Sequence, residues 1–246
     1  MKPAEFSIIM PAYNCADTVA ESLDSVLAQS WGDFELIIAD DCSQDATADI
    51  LADYARRDRR IRVLRQQTNQ GVAQARNLAI SAATGPLIAF LDTDDLWLPE
   101  KLAKQKELFD AGHLILFSSY VRFGEKMADK TVSARRSATY SDLLKSNFIG
   151  NLTGAYHAGK LGKIYQQPVH HEDYLMWLQL IRKAGQATGI QEPLARYRVR
   201  EDSISAGKFK SAIWTWQLYR RHLQLGLLQS TACFISYAYH GIRKRT

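Results

Sequence analysis

Three carboxylates fall within four positions at Asp92-Thr93-Asp94-Asp95, directly behind the apolar run Leu87-Ile88-Ala89-Phe90-Leu91. A short run of this kind is the pattern of a strand buried on both faces in a parallel sheet. Groups that close such a strand emerge at its carboxyl end, where open α/β sheets bind ligands. If the chain stays extended there, alternation puts Asp92 and Asp94 on one side and Thr93 on the other. Two hard oxygen donors so placed suit Mg²⁺ or Mn²⁺, with other positions on the ion left for phosphate oxygens. The plain alternative is turn and N-cap duty ahead of Leu96-Trp97-Leu98-Pro99. Two more acidic pairs, Asp40-Asp41 and Glu172-Asp173, favour the metal and phosphate chemistry.

These groups need elements to position them. Phe6 to Met10 reads as a strand that Pro11-Ala12-Tyr13-Asn14 ends, because proline cannot donate to a ladder. Thr18-Val19-Ala20-Glu21 predicts a capping box, followed by a helical stripe of Val19, Leu23, Val26 and Leu27. Leu36 to Ala39 is a buried strand closed by Asp40-Asp41-Cys42-Ser43, and a helix carrying Ile50, Leu51 and Tyr54 comes next. Ile61 to Leu64 is a third strand; an alanine-rich helix through Arg76, Asn77 and Leu78 then ends at Gly85-Pro86. Four alternations of strand and helix predict an α/β fold, a mostly parallel sheet wound by right-handed crossovers. Beyond Pro99 we expect a helix to about Ala111, strands at Leu114 to Ser118, Leu152 to His157 and Leu194 to Val199, and a helix over Tyr140 to Lys145. An apolar helix follows Glu172-Asp173, and from Lys208 the chain is helical with a break near Gly226. Ser119 to Ala138 is polar and carries no clear pattern.

Composition narrows the class. The 246 residues are 46% apolar and 23% charged, as in a globular protein. Neither G-x-G-x-x-G nor G-x-x-x-x-G-K-[ST] occurs, which counts against dinucleotide oxidoreductases and P-loop enzymes. Cys15, Cys42 and Cys233 lack metal-ligand spacing and read as reduced thiols, hence a cytoplasmic location. The formal charge of +5 is uneven: seven Lys or Arg and no acid lie between Gly207 and Thr246, leaving a body of net −2. That body is not expected to bind nucleic acid.

Five stretches in order resemble a bacterial family 2 glycosyltransferase of the GT-A fold. They are Ile9-Met10-Pro11-Ala12-Tyr13-Asn14; Ile38-Ala39-Asp40-Asp41-Cys42-Ser43-Gln44-Asp45-Ala46-Thr47; Asn69-Gln70-Gly71-Val72-Ala73-Gln74-Ala75-Arg76-Asn77; Phe90-Leu91-Asp92-Thr93-Asp94-Asp95; and Glu172-Asp173. Through Tyr197-Arg198-Val199-Arg200 and the tail, the chain is similar to enzymes of teichuronic acid, O-antigen or capsule synthesis. The resemblance implies that Asp40 meets the nucleotide base, and a uracil N–H is a donor that a carboxylate accepts. Pro11, Tyr13 and Asn14 would line base and ribose, with Asp41 and Thr93 also among the nucleotide contacts. Asp92 and Asp94 occupy the D-x-D positions, Asp94 as the favoured ligand of a Mn²⁺ or Mg²⁺ that neutralises the departing diphosphate. Arg76 is either a second diphosphate contact or a surface arginine. Asp173, with Glu172 beside it, would be the general base of a single inverting displacement. Acids in the first turn of a helix are also favoured by its dipole alone.

The implied enzyme moves a hexosyl or N-acetylhexosaminyl group from a nucleotide-sugar donor, a UDP-sugar by preference, to a saccharide or lipid-diphosphate-linked acceptor. Residues 1–206 would be the catalytic domain, divided into a nucleotide half (1–98) and an acceptor half (99–206), with 207–246 a basic aromatic tail. That tail, with Trp214, Trp216, Tyr219, Phe234, Tyr237 and Tyr239, either lies on the inner membrane or packs on the body. The family usually has glycine at Cys42, where a positive φ would cost a cysteine about 1 to 2 kcal/mol. Many relatives have histidine at Arg200. His170 and His171 read as a solvated loop. A sugar-phosphate nucleotidyltransferase would need a glycine- and arginine-rich loop after the first strand, and a non-catalytic carbohydrate-binding subunit would not need Asp94 and Asp173.

Overall fold

The computed structural model describes residues 3–124, 127–199 and 208–243. Strands and helices alternate strictly at first: β1 (Phe6–Ala12), α1 (Val19–Leu27), β2 (Phe34–Asp40), α2 (Thr47–Arg57), β3 (Ile61–Arg65), α3 (Val72–Ala82) and β4 (Leu87–Phe90). Then come β5 (Leu96–Trp97), α4 (Lys101–Asp110), β6 (Ile115–Gly124), β7 (Met127–Val132), β8 (Ser137–Thr139), α5 (Tyr140–Lys145), β9 (Ala155–His157), α6 (Ala158–Leu161), α7 (Glu172–Ala184) and β10 (Gln186–Arg198). A third segment holds α8 (Lys208–Gln217), a π turn at Leu218–His222 and α9 (Leu227–Arg243). Arg200, the expected boundary near residue 206 and the terminal Lys244-Arg245 lie outside the described residues, as does the side chain of Tyr239.

The ten strands among the described residues join one sheet in the order β3-β2-β1-β4-β9-β6-β10-β5, with β7 on β6 and β8 on β10. β9 runs against both β4 and β6, and β10 is parallel to β6, so six strands share one direction and the α/β expectation holds. Alternate residues feed two cores. Ile9, Ile37, Ile88 and Phe90 face one cluster with Trp177 and Leu178 of α7. Ile8, Met10, Ile38 and Ala89 face the other with Leu23 of α1 and Leu102 of α4. Each fully buried Ile, Leu or Phe in these layers stabilises the fold by about 2 kcal/mol.

Several local expectations are corrected. β1 continues through Pro11 because its ladder to β2 reaches Ala12↔Asp40, whereas pairing to β4 stops at Ile9↔Phe90. The Leu91 amide donates to the Ile9 carbonyl, so Pro11, two residues on, turns its missing N–H to the side where no partner follows. The capping box at Thr18 does not form: no side-chain cap bond is made there, and Glu21 pairs instead with Arg198. A true capping box is found at Thr139 and Asp142, which starts α5. The polar stretch after Ser119 folds as β7 and β8, and β10 starts eight residues before the predicted Leu194, with register shifts around Pro193. Leu96-Trp97 is a short edge strand on β10 rather than a helix start.

The C-terminal helices pack on the body. Leu218 and Tyr219 are buried in the first core, and the Tyr237 ring stacks on Tyr174 at 6.2 Å. Tyr174 and Tyr219 donate to the carbonyls of Leu143 and Leu144, each at 2.5 Å, closing the C-terminal end of α5. Among the described residues no helix is long and apolar enough to cross a membrane.

Candidate active site

A cleft of about 1100 Å³ runs along the carboxyl edge of the sheet. It gathers Pro11, Tyr13 and Asn14 from the end of β1, Asp41 beyond β2, Arg76 from α3, Asp92 to Asp95 beyond β4, and Glu172 and Asp173 from the start of α7. Acids from all three clusters, Asp41 and Asp173 being 132 residues apart in sequence, thus share one cavity.

The nucleotide end is stitched by side chains acting on backbone. The Asn14 amide donates to Ser43 Oγ at 3.0 Å, and the Gln44 amide donates to Asn14 Oδ1 at 2.8 Å. Cys15 N–H donates to Thr47 Oγ1 at 2.8 Å. Asn14 and Cys42 both adopt positive φ, 45° and 65°, so the cysteine does stand where glycine would be unstrained. Tyr13 is 48% exposed, an aromatic face available at the cleft wall.

Asp40 does not reach the cleft. Its side chain is 1% exposed; Oδ1 accepts the Ser43 amide at 3.1 Å and Oδ2 lies 3.3 Å from Arg65 Nε. Its neighbour Asp41 lines the cleft, accepting the Gln70 amide on Oδ1 at 2.8 Å and the Gly71 amide on Oδ2 at 2.7 Å. Neighbouring residues at a strand end face opposite ways, so only one of the pair can point to the ligand side. Of the pair, Asp41 and not Asp40 therefore lines the cleft. Gly71, at φ 88°, allows the sharp entry into α3 that brings its amide to Asp41.

The D-x-D segment is a turn rather than an extended continuation of β4. The Asp95 amide donates to the Asp92 carbonyl at 3.2 Å, so simple alternation does not apply, although Asp92, Thr93 and Asp94 all line the cleft. Asp95 is buried, and its carboxyl accepts the Arg198 amide at 2.8 Å. Burial, with Asp94 and Asp92 close by, pushes that carboxyl well above the usual range. Among the described residues no group of three or more His, Cys, Asp or Glu is arranged to hold an ion by itself. Two hard carboxylates crowding a third nonetheless fit a divalent cation that takes its other ligands from phosphate and water.

Arg76 joins the two acidic walls and is no surface residue. It is 5% exposed, and its guanidinium donates to Asp92 at 2.7 Å, Glu172 at 3.0 Å and Gln166 at 3.2 Å. Glu172 and Asp173 sit in the first turn of α7, presented by His171 in the left-handed region at φ 63°. Burial raises the Asp173 carboxyl to about 6; Glu172 adds to the rise and Arg76 opposes it. An aspartate so desolvated is matched to take a proton near neutrality.

His170 and His171 both lie on Trp214 of α8, His170 stacked at 3.9 Å and His171 edge-on at 5.8 Å. They line the cleft with Trp214, in a turn ahead of α7 where His170 stays exposed, in keeping with a solvated loop. Arg198 went unrecognised in the sequence as a site residue: besides Asp95, its Nε donates to the Asp94 carbonyl at 2.8 Å, and it pairs with Glu21. An arginine at a strand end was visible, but partners more than a hundred residues away were not.

With this geometry in view, the chain compares with known proteins as follows. The family model for glycosyl transferase family 2 matches residues 7–164. The chain is 40% identical over 243 residues to the putative teichuronic acid biosynthesis glycosyltransferase TuaG of Bacillus subtilis, covering 97% of this chain and 96% of the other. It is 34% identical to WfgD of Escherichia coli, a UDP-Glc:alpha-D-GlcNAc-diphosphoundecaprenol beta-1,3-glucosyltransferase, over 86% of this chain and 84% of that protein. Among solved structures, S. aureus TarS 1-349 in complex with UDP-GlcNAc superposes with TM-score 0.74 at 23% identity, over 88% of this chain and 64% of that one. The mannosyltransferase PcManGT of Pyrobaculum calidifontis, in complex with GDP-Man and Mn²⁺, gives 0.69 at 19% identity, over 95% and 70%. The fold is thus the GT-A fold, and the chain belongs to glycosyl transferase family 2.

Proposed function

We propose that this protein is a metal-dependent, inverting glycosyltransferase that moves a sugar from a nucleotide diphosphate, by preference UDP, to a saccharide on a lipid diphosphate in cell-surface polysaccharide synthesis. The observation that carries the reading is Arg76, which ties the D-x-D wall to the Glu172-Asp173 wall across one cleft. In this reading Tyr13 and Pro11 hold the base, Asp41 contacts it or the ribose, and Thr93 lies beside them. Asp92 and Asp94 would hold Mn²⁺ or Mg²⁺, which supplies charge neutralisation to the leaving diphosphate. Asp173 accepts the proton of the acceptor hydroxyl as that oxygen bonds to the anomeric carbon; the bond to the diphosphate breaks on the opposite face, and the configuration inverts. WfgD, by its name, acts on a lipid-diphosphate acceptor with UDP-Glc, which supports the donor and acceptor classes.

The exposed Leu227, Leu228 and Ile235 of α9, near exposed Arg220 and Arg221, support peripheral contact with an anionic membrane that carries such an acceptor. Calorimetric titration with UDP, GDP and dTDP, each with Mn²⁺ and with chelator, tests the function. Binding of UDP that disappears with chelator is expected; binding of none of the three with metal present contradicts it.

A further inference from the structure

Beyond the clusters already described, the cleft contains two buried polar side chains with no assigned task. Asn151 is 5% exposed, and neither its Oδ1 nor its Nδ2 has a hydrogen-bond partner among the described residues. Ser118 is 2% exposed, and its Oγ is likewise unpartnered. Both line the cleft. Leaving such atoms buried and unsatisfied costs about 1 to 3 kcal/mol per group, so a ligand that satisfies them gains accordingly.

The segment that bears Asn151 is held rigid from below. Trp97 Nε1 donates to the Leu152 carbonyl at 3.2 Å; Lys101 Nζ and Gln105 Nε2 both donate to the Thr153 carbonyl, at 3.1 and 3.3 Å. A Cβ at Gly154 would stand 2.3 Å from the Trp177 ring, so the turn also sits hard against α7. These contacts fix the backbone of the turn and leave the Asn151 amide group for the cleft.

Position along the sheet edge says which ligand group arrives there. β9 pairs with β4 through Ala89↔Ala155, so residues 151–153 leave the sheet at the edge where Asp92 to Asp94 emerge. β6 pairs with β9 through Leu116↔Ala155, which puts Ser118 at the same edge one strand further on. From β1 outward the edge therefore presents Tyr13, then the D-x-D turn, then Asn151, then Ser118. A nucleotide-sugar has the matching order of base, diphosphate, sugar. The chemistry agrees: an amide offers a donor and an acceptor, and a hydroxyl offers both, which suits sugar hydroxyl or acetamido groups rather than a further anion or cation. We infer that Asn151 and Ser118 form the subsite that hydrogen-bonds the donor's sugar ring and select its substituents; this rests on the proposed transferase function.

The test compares wild type, Asn151→Ala, Asn151→Asp and Ser118→Ala by calorimetry with Mn²⁺. The probes are UDP, UDP-glucose, UDP-N-acetylglucosamine, GDP and GDP-mannose. The variants should keep wild-type affinity for the bare diphosphate and lose about tenfold for the matching nucleotide-sugar, the equivalent of one hydrogen bond. Unchanged affinity for that nucleotide-sugar in all three variants overturns the inference. So does a raised acceptor KM with donor binding intact, which would give the subsite to the acceptor. A wild type that binds none of the five contradicts the function itself and is thereby told apart.

Discussion

The Nη2 of Arg76 donates to Asp92 Oδ1 at 2.7 Å, so the helix after β3 is tied to the turn after β4 by a charge pair that also touches Glu172. The guanidinium is the cation that α3 sends into a cleft wall otherwise lined by Asp92, Asp94, Glu172 and Asp173. Arg76→Ala should cost about 1 to 3 kcal/mol of stability at neutral pH, because removing the buried guanidinium leaves half-buried carboxylates facing one another. Denaturant unfolding measures it. A variant as stable as wild type at pH 7.5 would show that the pairing is incidental.

In the proposed mechanism, Asp173 makes stability and activity oppose each other. Its folded carboxyl titrates near 6 through burial, above the unfolded value near 3.8, so the native state binds more protons between those values. Stability therefore falls as pH rises through that window, and ionised Asp173 costs at most about 3 kcal/mol above it. Asp173→Asn carries no charge and should melt higher than wild type at pH 7.5 yet equal it at pH 3.5. Transfer by wild type should drop about tenfold per pH unit below 6 as the base protonates. A rate flat between pH 5 and 7 would contradict the assignment.

In the proposed reading, Asp40 and Asp41 take two different roles, one structural and one at the nucleotide. Asp41→Asn should weaken nucleotide binding about tenfold or more, since one amide acceptor and the charge are altered at the cleft wall. Asp40→Asn should leave affinity within about twofold and lower stability by about 1 kcal/mol, through the weakened bond to the Ser43 amide and the lost Arg65 pair. Calorimetry and thermal melts on both variants decide it; the reverse pattern would restore Asp40 to the base.

The Tyr219 hydroxyl donates to the Leu144 carbonyl at 2.5 Å, deep between α5 and the C-terminal helices. Tyr219→Phe leaves that buried carbonyl short of a donor, and about 1 to 2 kcal/mol of stability should go with it. A change under a few tenths would mean that the C-terminal segment is only loosely applied to the body.

The nucleotide half was legible because its logic is local. β1, β2 and β4 are dominated by apolar runs, β1 to β3 are each followed by a helix, and those three strands neighbour one another in the sheet. The second half pairs at long range: Thr188 of β10 lies against Leu116 of β6, and β8 attaches to β10 across 47 residues. No window of sequence holds such information. The candidate acids were visible as clusters, yet which carboxylate of a pair lines the cleft depends on where the strand stops, and that is not written in the pair Asp40-Asp41 itself. Asn151 and Ser118 were invisible, since their lack of partners among the described residues exists only once the strands are assembled.

Asp173 is the residue on which the proposed transfer depends most directly. Wild type and Asp173→Asn should be compared for sugar transfer from labelled UDP-glucose and UDP-N-acetylglucosamine to α-D-GlcNAc-diphosphoundecaprenol, with UDP affinity measured on the same samples. A fall in turnover of about a thousandfold, with UDP affinity within about twofold, is the predicted result. Turnover at the wild-type rate in the variant would contradict it.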